Sequence, residues 1–159
     1  MGWKGGHASP LRKQAVNGVY RRAPDGRIKL LDGSHKRPNS IGLSPDGRTL
    51  YLLLSDEAQP KVLAYALDAG GMPTASRVFC DMRPQFARGW PGLPDGMEVA
   101  ASGLVFASGP GGIHVLAPGG RLLGIASTGK AIANGCIGEG GRSLFLTSSD
   151  TLCRISLRG

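Results

Sequence analysis

Short apolar runs separated by polar turns recur along the chain, and no stretch shows the apolar spacing of an amphipathic helix. Aspartate-glycine pairs at 25–26, 46–47 and 95–96 mark tight turns, because glycine tolerates the positive φ that such turns require. This pattern predicts an all-β protein. The predicted strands cover residues 19–22, 28–31, 40–43, 49–54, 61–67, 76–80, 97–100, 104–107, 112–116, 121–126, 135–137, 143–147 and 151–157.

The strand pattern restarts along the chain, with equivalent first turns near positions 46, 102 and 140. These separations bracket the roughly 40 to 50 residues of a four-stranded propeller blade. An immunoglobulin-like sandwich would not restart the same hairpin at such intervals, and a doubly wound sheet would need helical periodicity between strands. We therefore predict one partial β-propeller domain over residues 1–159, with residues 1–14 irregular.

The strand count predicts about three blades: two strands of one blade, two complete blades and three strands of another. Propellers normally close with roughly four to eight blades, so the count places about half of the parent domain before Met1. An incomplete propeller exposes strand edges and part of its core. We therefore expect self-association that covers these edges.

The formal net charge of +8 raises the question of a polyanionic partner. Nine of the 19 lysines and arginines fall within the first 37 positions, where only Asp25 and Asp32 oppose them. No helix-turn-helix, zinc-finger spacing or stacked-aromatic pattern accompanies this cluster. A solvated basic face is the better interpretation, and we expect no nucleic-acid partner.

The cysteines and the N-terminal sequence indicate the cellular compartment. Cys80, Cys136 and Cys153 are widely spaced and form no CxxC pair, which fits burial as small apolar residues in a reducing compartment. The first residues lack the apolar core of a signal peptide, and no run approaches the roughly 20 apolar residues of a membrane span. We expect a cytoplasmic protein without a membrane partner; a periplasmic one stays open if a signal lies upstream.

Five segments in order, at 17–21, 37–51, 92–99, 109–115 and 133–136, are similar to the gluconolactonase, regucalcin and luciferin-regenerating-enzyme family, and most similar to bacterial gluconolactonases. The similarity runs from about residue 10 to the end. The most diagnostic feature is Arg-Pro-Asn at 37–39 followed, about 55 positions later, by Leu-Pro-Asp-Gly-Met at 93–97. The Ser-Pro-Asp-Gly hairpin at 44–47 occurs in many propellers and identifies little.

The resemblance implies a six-bladed propeller with one divalent cation at the mouth of the central channel. It implies hydrolysis of sugar lactones and related esters. The family positions that match Asn39 and Asp95 are metal ligands, and the aspartate is also the proposed general base. A third family ligand, a glutamate near the start of the first blade, has no counterpart here, because the resemblance covers the C-terminal half of the family domain.

The chemistry of Asn39 and Asp95 also stands without the family. Each is expected to precede an innermost strand of successive blades, where side chains converge on the channel mouth. A carboxylate and an amide carbonyl are hard oxygen ligands, suited to Ca²⁺, Mg²⁺ or Mn²⁺ and acceptable to Zn²⁺. Such a cation polarises a lactone carbonyl, and Asp95 could take a proton from the attacking water. The alternative is that both residues only form turns.

Three further residues are weaker candidates. Asn134 lies at the analogous position of the next blade and is expected to line the channel and contact substrate. Arg37 could face the channel and meet an anionic product, although a surface charge is equally compatible. His114 has no second histidine nearby and is interpreted as a blade-face residue.

These observations lead to two functional hypotheses. The first is divalent-metal-dependent hydrolysis of a sugar lactone, glucono-1,5-lactone to gluconate. The second is a non-catalytic propeller fragment or binding module that has lost the active site.

Overall fold

The computed structural model describes Pro10 and residues 13–157, and its contacts divide the chain into two compact units, residues 1–36 and 37–159. The first unit contains an antiparallel hairpin of β1 (Val19–Arg22) and β2 (Ile28–Asp32). Its turn is the predicted aspartate-glycine pair, in which Gly26 has φ +88°. The predicted irregular segment 1–14 lies largely outside the described residues, and the single-domain prediction stays a prediction.

The second unit consists of three antiparallel sheets in which each strand pairs with the next one along the chain. The first sheet contains β3 (Pro38–Leu43), β4 (Thr49–Leu54), β5 (Lys61–Leu67) and β6 (Pro73–Asp81). The second contains β7 (Met97–Val99), β8 (Val105–Gly109), β9 (Gly112–Leu116) and β10 (Leu122–Ala126). The third contains β11 (Ile132–Gly138), β12 (Ser143–Ser148) and β13 (Thr151–Ser156). Successive four-stranded meanders are propeller blades, and they confirm the predicted all-β partial propeller.

The first strands of the three sheets lie side by side, because β7 contacts both β3 and β11. Alternate residues of β8 face the two cores on either side of the second sheet, as the period of two in a strand requires. Val105 and Ala107 pack with Tyr51 and Leu53 of the first sheet, whereas Phe106 packs with Leu146 and its neighbours in the third. β8 is therefore buried on both faces.

Glycines stand where one innermost strand approaches the next. A Cβ at Gly42 would lie 2.7 Å from the Met97 sulfur, and a Cβ at Gly96 would lie 2.7 Å from the Ala133 carbonyl oxygen. The Gly96 amide donates to that same oxygen at 2.7 Å. Because the Ala133 oxygen belongs to the backbone and cannot move aside, a side chain at Gly96 would push neighbouring sheets apart; at Gly42 the contact is with the flexible Met97 side chain.

This finding corrects the reason given for the third aspartate-glycine pair. The pair at 95–96 leads into β7 and forms no hairpin turn, and Gly96 is not among the glycines with positive φ. Its glycine serves the close approach of β7 to β11. The pair at 46–47 is a turn as predicted, with Gly47 at φ +68°.

Other elements differ from prediction at their ends. β3 begins at Pro38 and β11 at Ile132, so both strands start before their predicted first residues. A short helix, α1 (Arg83–Phe86), precedes β7 and was not predicted. Cys80 is buried as expected, but Cys136 is exposed and Cys153 is half-buried. In the described part of the chain, no helix is long and apolar enough to cross a membrane.

His114 is completely buried in β9. Its Nε2 lies 3.0 Å from the Pro110 carbonyl oxygen, and its Nδ1 has no hydrogen-bond partner. The neutral ring therefore donates through Nε2 and leaves Nδ1 unprotonated. Burial lowers the pKa of His114, and the bond to Pro110 offsets only part of this effect.

We predict that the free energy of unfolding falls as the pH drops below about 6.5, the pKa of a histidine in an unfolded chain. Because the pKa of His114 is lower in the folded protein, the unfolded chain binds more protons in this range. Urea unfolding at pH 8 and pH 5 measures the loss. His114→Phe should lose less stability between these pH values than the parent chain does; equal losses in both proteins would contradict the prediction.

We also predict that Gly96→Ala destabilises the chain by about 1–3 kcal/mol, the usual cost of forcing atoms into a packed region. Gly119→Ala is the matched control, because a Cβ there would have no atom within 4 Å and Gly119 is not among the glycines with positive φ. Urea unfolding of both variants measures the difference. If the two substitutions cost the same, the close approach at Gly96 does not limit the packing of the sheets.

Candidate functional site

A cavity of about 380 Å³ opens in the second unit at the end where β3, β7 and β11 begin. All three sheets contribute to its wall. The lining residues are Asn39, Ser55, Gly92, Leu93, Pro94, Asp95, Ala131, Ile132, Ala133, Thr147 and Ser149. The two predicted metal ligands, Asn39 and Asp95, therefore line one cavity.

Asn39 is exposed and lies within β3, not before it as expected. It falls where the pairing of β3 with β4 is irregular, between Pro38 and Ile41. β3 begins at Pro38, two positions before its predicted start at residue 40, so Asn39 lies inside the strand.

Ser55 sets the orientation of the Asn39 amide. The Ser55 hydroxyl donates a short hydrogen bond to the Pro94 carbonyl oxygen, so its single proton is used. It must then accept from Asn39, whose Nδ2 lies 2.9 Å from Oγ. This arrangement turns Asn39 Oδ1 away from Ser55, and Oδ1 accepts no hydrogen bond from the described residues. A free amide oxygen thus lies in the cavity wall.

Asp95 is half-buried and is held through its backbone. The hydroxyl oxygen of the fully buried Ser108 accepts from the amides of Asp95 and Gly96, both at 3.0 Å. The Ser108 amide in turn donates to the Gly96 carbonyl oxygen at 2.9 Å. No described residue makes a hydrogen bond or an ion pair with the Asp95 carboxylate. Its backbone is fixed while its carboxylate oxygens stay available.

The two predicted substrate contacts are outside this cavity lining. Asn134 is exposed within β11, its Oδ1 accepts from the Gly135 amide at 2.9 Å, and its side chain packs over Gly96. Arg37 is exposed just before β3 and forms an ion pair with Glu57 at 3.4 Å. The structure brings Asn39 and Asp95 together and leaves these two residues at the periphery.

The oxygen donors in the cavity are of the type that hard divalent cations prefer. Asp95 offers a carboxylate and Asn39 an amide oxygen, ligands preferred by Ca²⁺ and Mg²⁺, and Mg²⁺ in proteins often has only one or two carboxylate ligands besides water. Among the described residues, however, no three His, Cys, Asp or Glu side chains cluster in a way that could hold an ion. Asn39 and Asp95 thus offer two oxygen donors to the cavity, one from an amide and one from a carboxylate.

Two residues that position the site were missed from the sequence. Ser55 and Ser108 each follow an apolar run at the end of the second strand of a sheet, and Ser148 occupies the same place in the third. A serine at the end of the second strand in each repeat is a pattern that the sequence alone shows. Two of these hydroxyls, those of Ser55 and Ser108, make hydrogen bonds at Asn39 and Asp95.

The sequence and the structure both relate this chain to known proteins. A gluconolactonase from Zymomonas mobilis is 41% identical over 150 residues, which are 92% of this chain and 42% of that protein. The structure is similar to a gluconolactonase from Xanthomonas campestris, with a TM-score of 0.78 and 28% identity over 92% of this chain and 46% of that one. The chain therefore spans less than half the length of these relatives.

A calcium-binding protein, regucalcin from Agrobacterium tumefaciens, is also similar in structure. Its TM-score is 0.66 at 27% identity, covering 82% of this chain and 43% of that one. Residues 2–150 match the profile of the SMP-30/Gluconolactonase/LRE-like region. On this match, the chain belongs to the SMP-30/gluconolactonase/LRE-like family.

Proposed function

We propose that this chain carries one side of a divalent-cation site that hydrolyses a sugar lactone, glucono-1,5-lactone to gluconate. The observation that carries the proposal is that Asn39 and Asp95 line one cavity with their ligand oxygens unused. The two gluconolactonases similar to this chain support the choice of reaction. The chain spans under half the length of these relatives, so we also propose, rather than infer from them, that the whole protein has this activity.

Asn39 and Asp95 would hold the cation, which polarises the lactone carbonyl and makes a nearby water more acidic. The Asp95 carboxylate takes the proton from that water as the water attacks the carbonyl carbon. The ring oxygen then leaves and takes the proton back from Asp95, which opens the ring to the acid and restores the carboxylate. Ser108 holds the backbone at Asp95, and Ser55 aims Asn39, so neither ligand must reorganise during the reaction.

The cation is proposed to be Ca²⁺, Zn²⁺, Mn²⁺ or Mg²⁺. The all-oxygen ligands favour Ca²⁺, Mg²⁺ or Mn²⁺ over Zn²⁺, and the calcium-binding regucalcin that resembles this chain supports Ca²⁺. Arg37 and Asn134 complete the proposal as substrate contacts at the edge of the site. A cytoplasmic location agrees with three free cysteines.

We predict that the purified chain binds a divalent cation through Asn39 and Asp95. Isothermal titration with Ca²⁺, Mn²⁺ and Zn²⁺ should show weaker binding in Asn39→Ala and in Asp95→Ala than in the parent chain. Ser55→Ala should weaken binding by about tenfold or more, because the amide of Asn39 would lose its orientation. Glu57→Gln is the control, an exposed carboxylate outside the cavity lining. Parent-level binding in Asp95→Ala would contradict the ligand assignment.

We predict that proton release from glucono-1,5-lactone, corrected for the spontaneous rate, depends on the added cation, stops with EDTA and is abolished in Asp95→Ala. The assay should be run on the 159-residue chain and on the chain restored to the length of its relatives. Metal-dependent activity in neither form would contradict the proposal and favour the alternative, a binding module without catalysis.

Self-association belongs to the same proposal. Ile41 and Leu43 are each 53% exposed on the face of β3 opposite Gly42, which faces β7. A second copy covering this face would remove apolar surface from water. Sedimentation of the 159-residue chain should show an oligomer that Ile41→Lys with Leu43→Lys dissociates. Leu123→Lys, on the outer strand of a complete sheet, should leave it intact; a monomeric parent chain would contradict the prediction.

A further inference from the structure

Ser149 has an unusual backbone conformation for its residue type. It lies at the first position of the two-residue turn between β12 and β13, with φ +51°. In tight hairpins that require a positive φ at this position, glycine is the preferred residue. A residue held in a sparsely populated conformation is a reason to look for a function. Ser149 lines the same cavity as Asn39 and Asp95.

The other non-glycine residue with positive φ in the described part of the chain, Glu139, has a structural explanation. Its Oε2 accepts a hydrogen bond from Ser143 and pairs with Arg154, both at 2.6 Å. Ser149 makes no comparable interaction, because its hydroxyl forms only one long bond, 3.3 Å to the Ala131 carbonyl oxygen. The fold obtains little from the Ser149 side chain.

Thr147 provides a second hydroxyl in the same wall. It lines the cavity, and its Oγ1 donates a long hydrogen bond of 3.4 Å to the Asn134 carbonyl oxygen. The part of the wall formed by the third sheet carries these hydroxyls and no charged side chain, whereas the first and second sheets supply Asn39 and Asp95. Hydroxyls both donate and accept, so they can pair with hydroxyl groups of a ligand.

We propose that Ser149 and Thr147 form a subsite for the ring hydroxyls of the lactone and select a polyhydroxylated lactone over an unsubstituted one. This inference rests on the proposed function, since it assigns the substrate class of that site. A site built to pair with a substrate hydroxyl discriminates against the analogue that lacks it, because the protein groups are then left unpaired. The two residues are positioning residues and transfer no proton.

The test compares two lactones with the same six-membered ring, glucono-1,5-lactone and δ-valerolactone, which has no ring hydroxyls. Binding of each to the full chain with Ca²⁺ present is followed by NMR titration, which does not depend on turnover. Ser149→Gly, Ser149→Ala and Thr147→Val should each weaken binding of the hydroxylated lactone by about three- to tenfold, the loss expected for one neutral hydrogen bond. Binding of δ-valerolactone should stay the same.

The glycine and alanine variants separate the hydroxyl from the backbone. Both remove the hydroxyl, but only glycine relieves the positive φ, so Ser149→Gly should melt a few degrees above Ser149→Ala while both lose the same selectivity. Equal weakening of both lactones, or none, would overturn the inference and leave the cation site standing. If the parent chain binds neither lactone while Asp95→Ala binds cation as the parent does, the proposed function fails as well.

Discussion

The close approach of the innermost strands is the constraint on which the second unit depends. At Gly96, the amide of one sheet donates to Ala133 of the next, and a Cβ would meet that same carbonyl oxygen at 2.7 Å. Gly42 makes a second close approach, between β3 and the side chains of β7. Because the sheets approach this closely, the residues at the ends of their first two strands converge on one cavity. The site is thus a consequence of how the sheets pack.

Serine hydroxyls hold Asn39 and Asp95 in place within the packed sheets. Ser108 accepts two backbone amides beside Asp95, and Ser55 connects Asn39 to the Pro94 carbonyl oxygen. Pro94 immediately precedes Asp95 in the chain, so Ser55 ties a residue of the first sheet to the loop that leads into the second. Neither serine needs to contact a cation to affect its binding. The placement of both proposed ligands depends on hydrogen bonds made by neutral side chains.

The strands, their order and the partial propeller were predictable, because alternating or continuous apolar runs between turn residues reflect burial directly. The pairing of Asn39 and Asp95 was also predicted, and their shared cavity agrees with it. The early start of β3, with its irregular pairing at Asn39, and the spatial role of Gly96 were not, since neither shows in the pattern of apolar runs. The positions of Arg37 and Asn134 outside the cavity lining also depend on tertiary contacts, which the sequence pattern does not show.

Different sheets contribute different chemical groups to the cavity wall, and this division has an evolutionary consequence. The first two sheets supply the charged and amide oxygens, and the third supplies hydroxyls from a strand end and a hairpin turn. Turns tolerate substitution better than packed strands do. Under the proposed function, drift in the turn after β12 would alter the preference for one lactone over another before it damaged the reaction itself. On the same proposal, a new substrate preference would arise from changes to a single loop, with the reaction chemistry inherited unchanged.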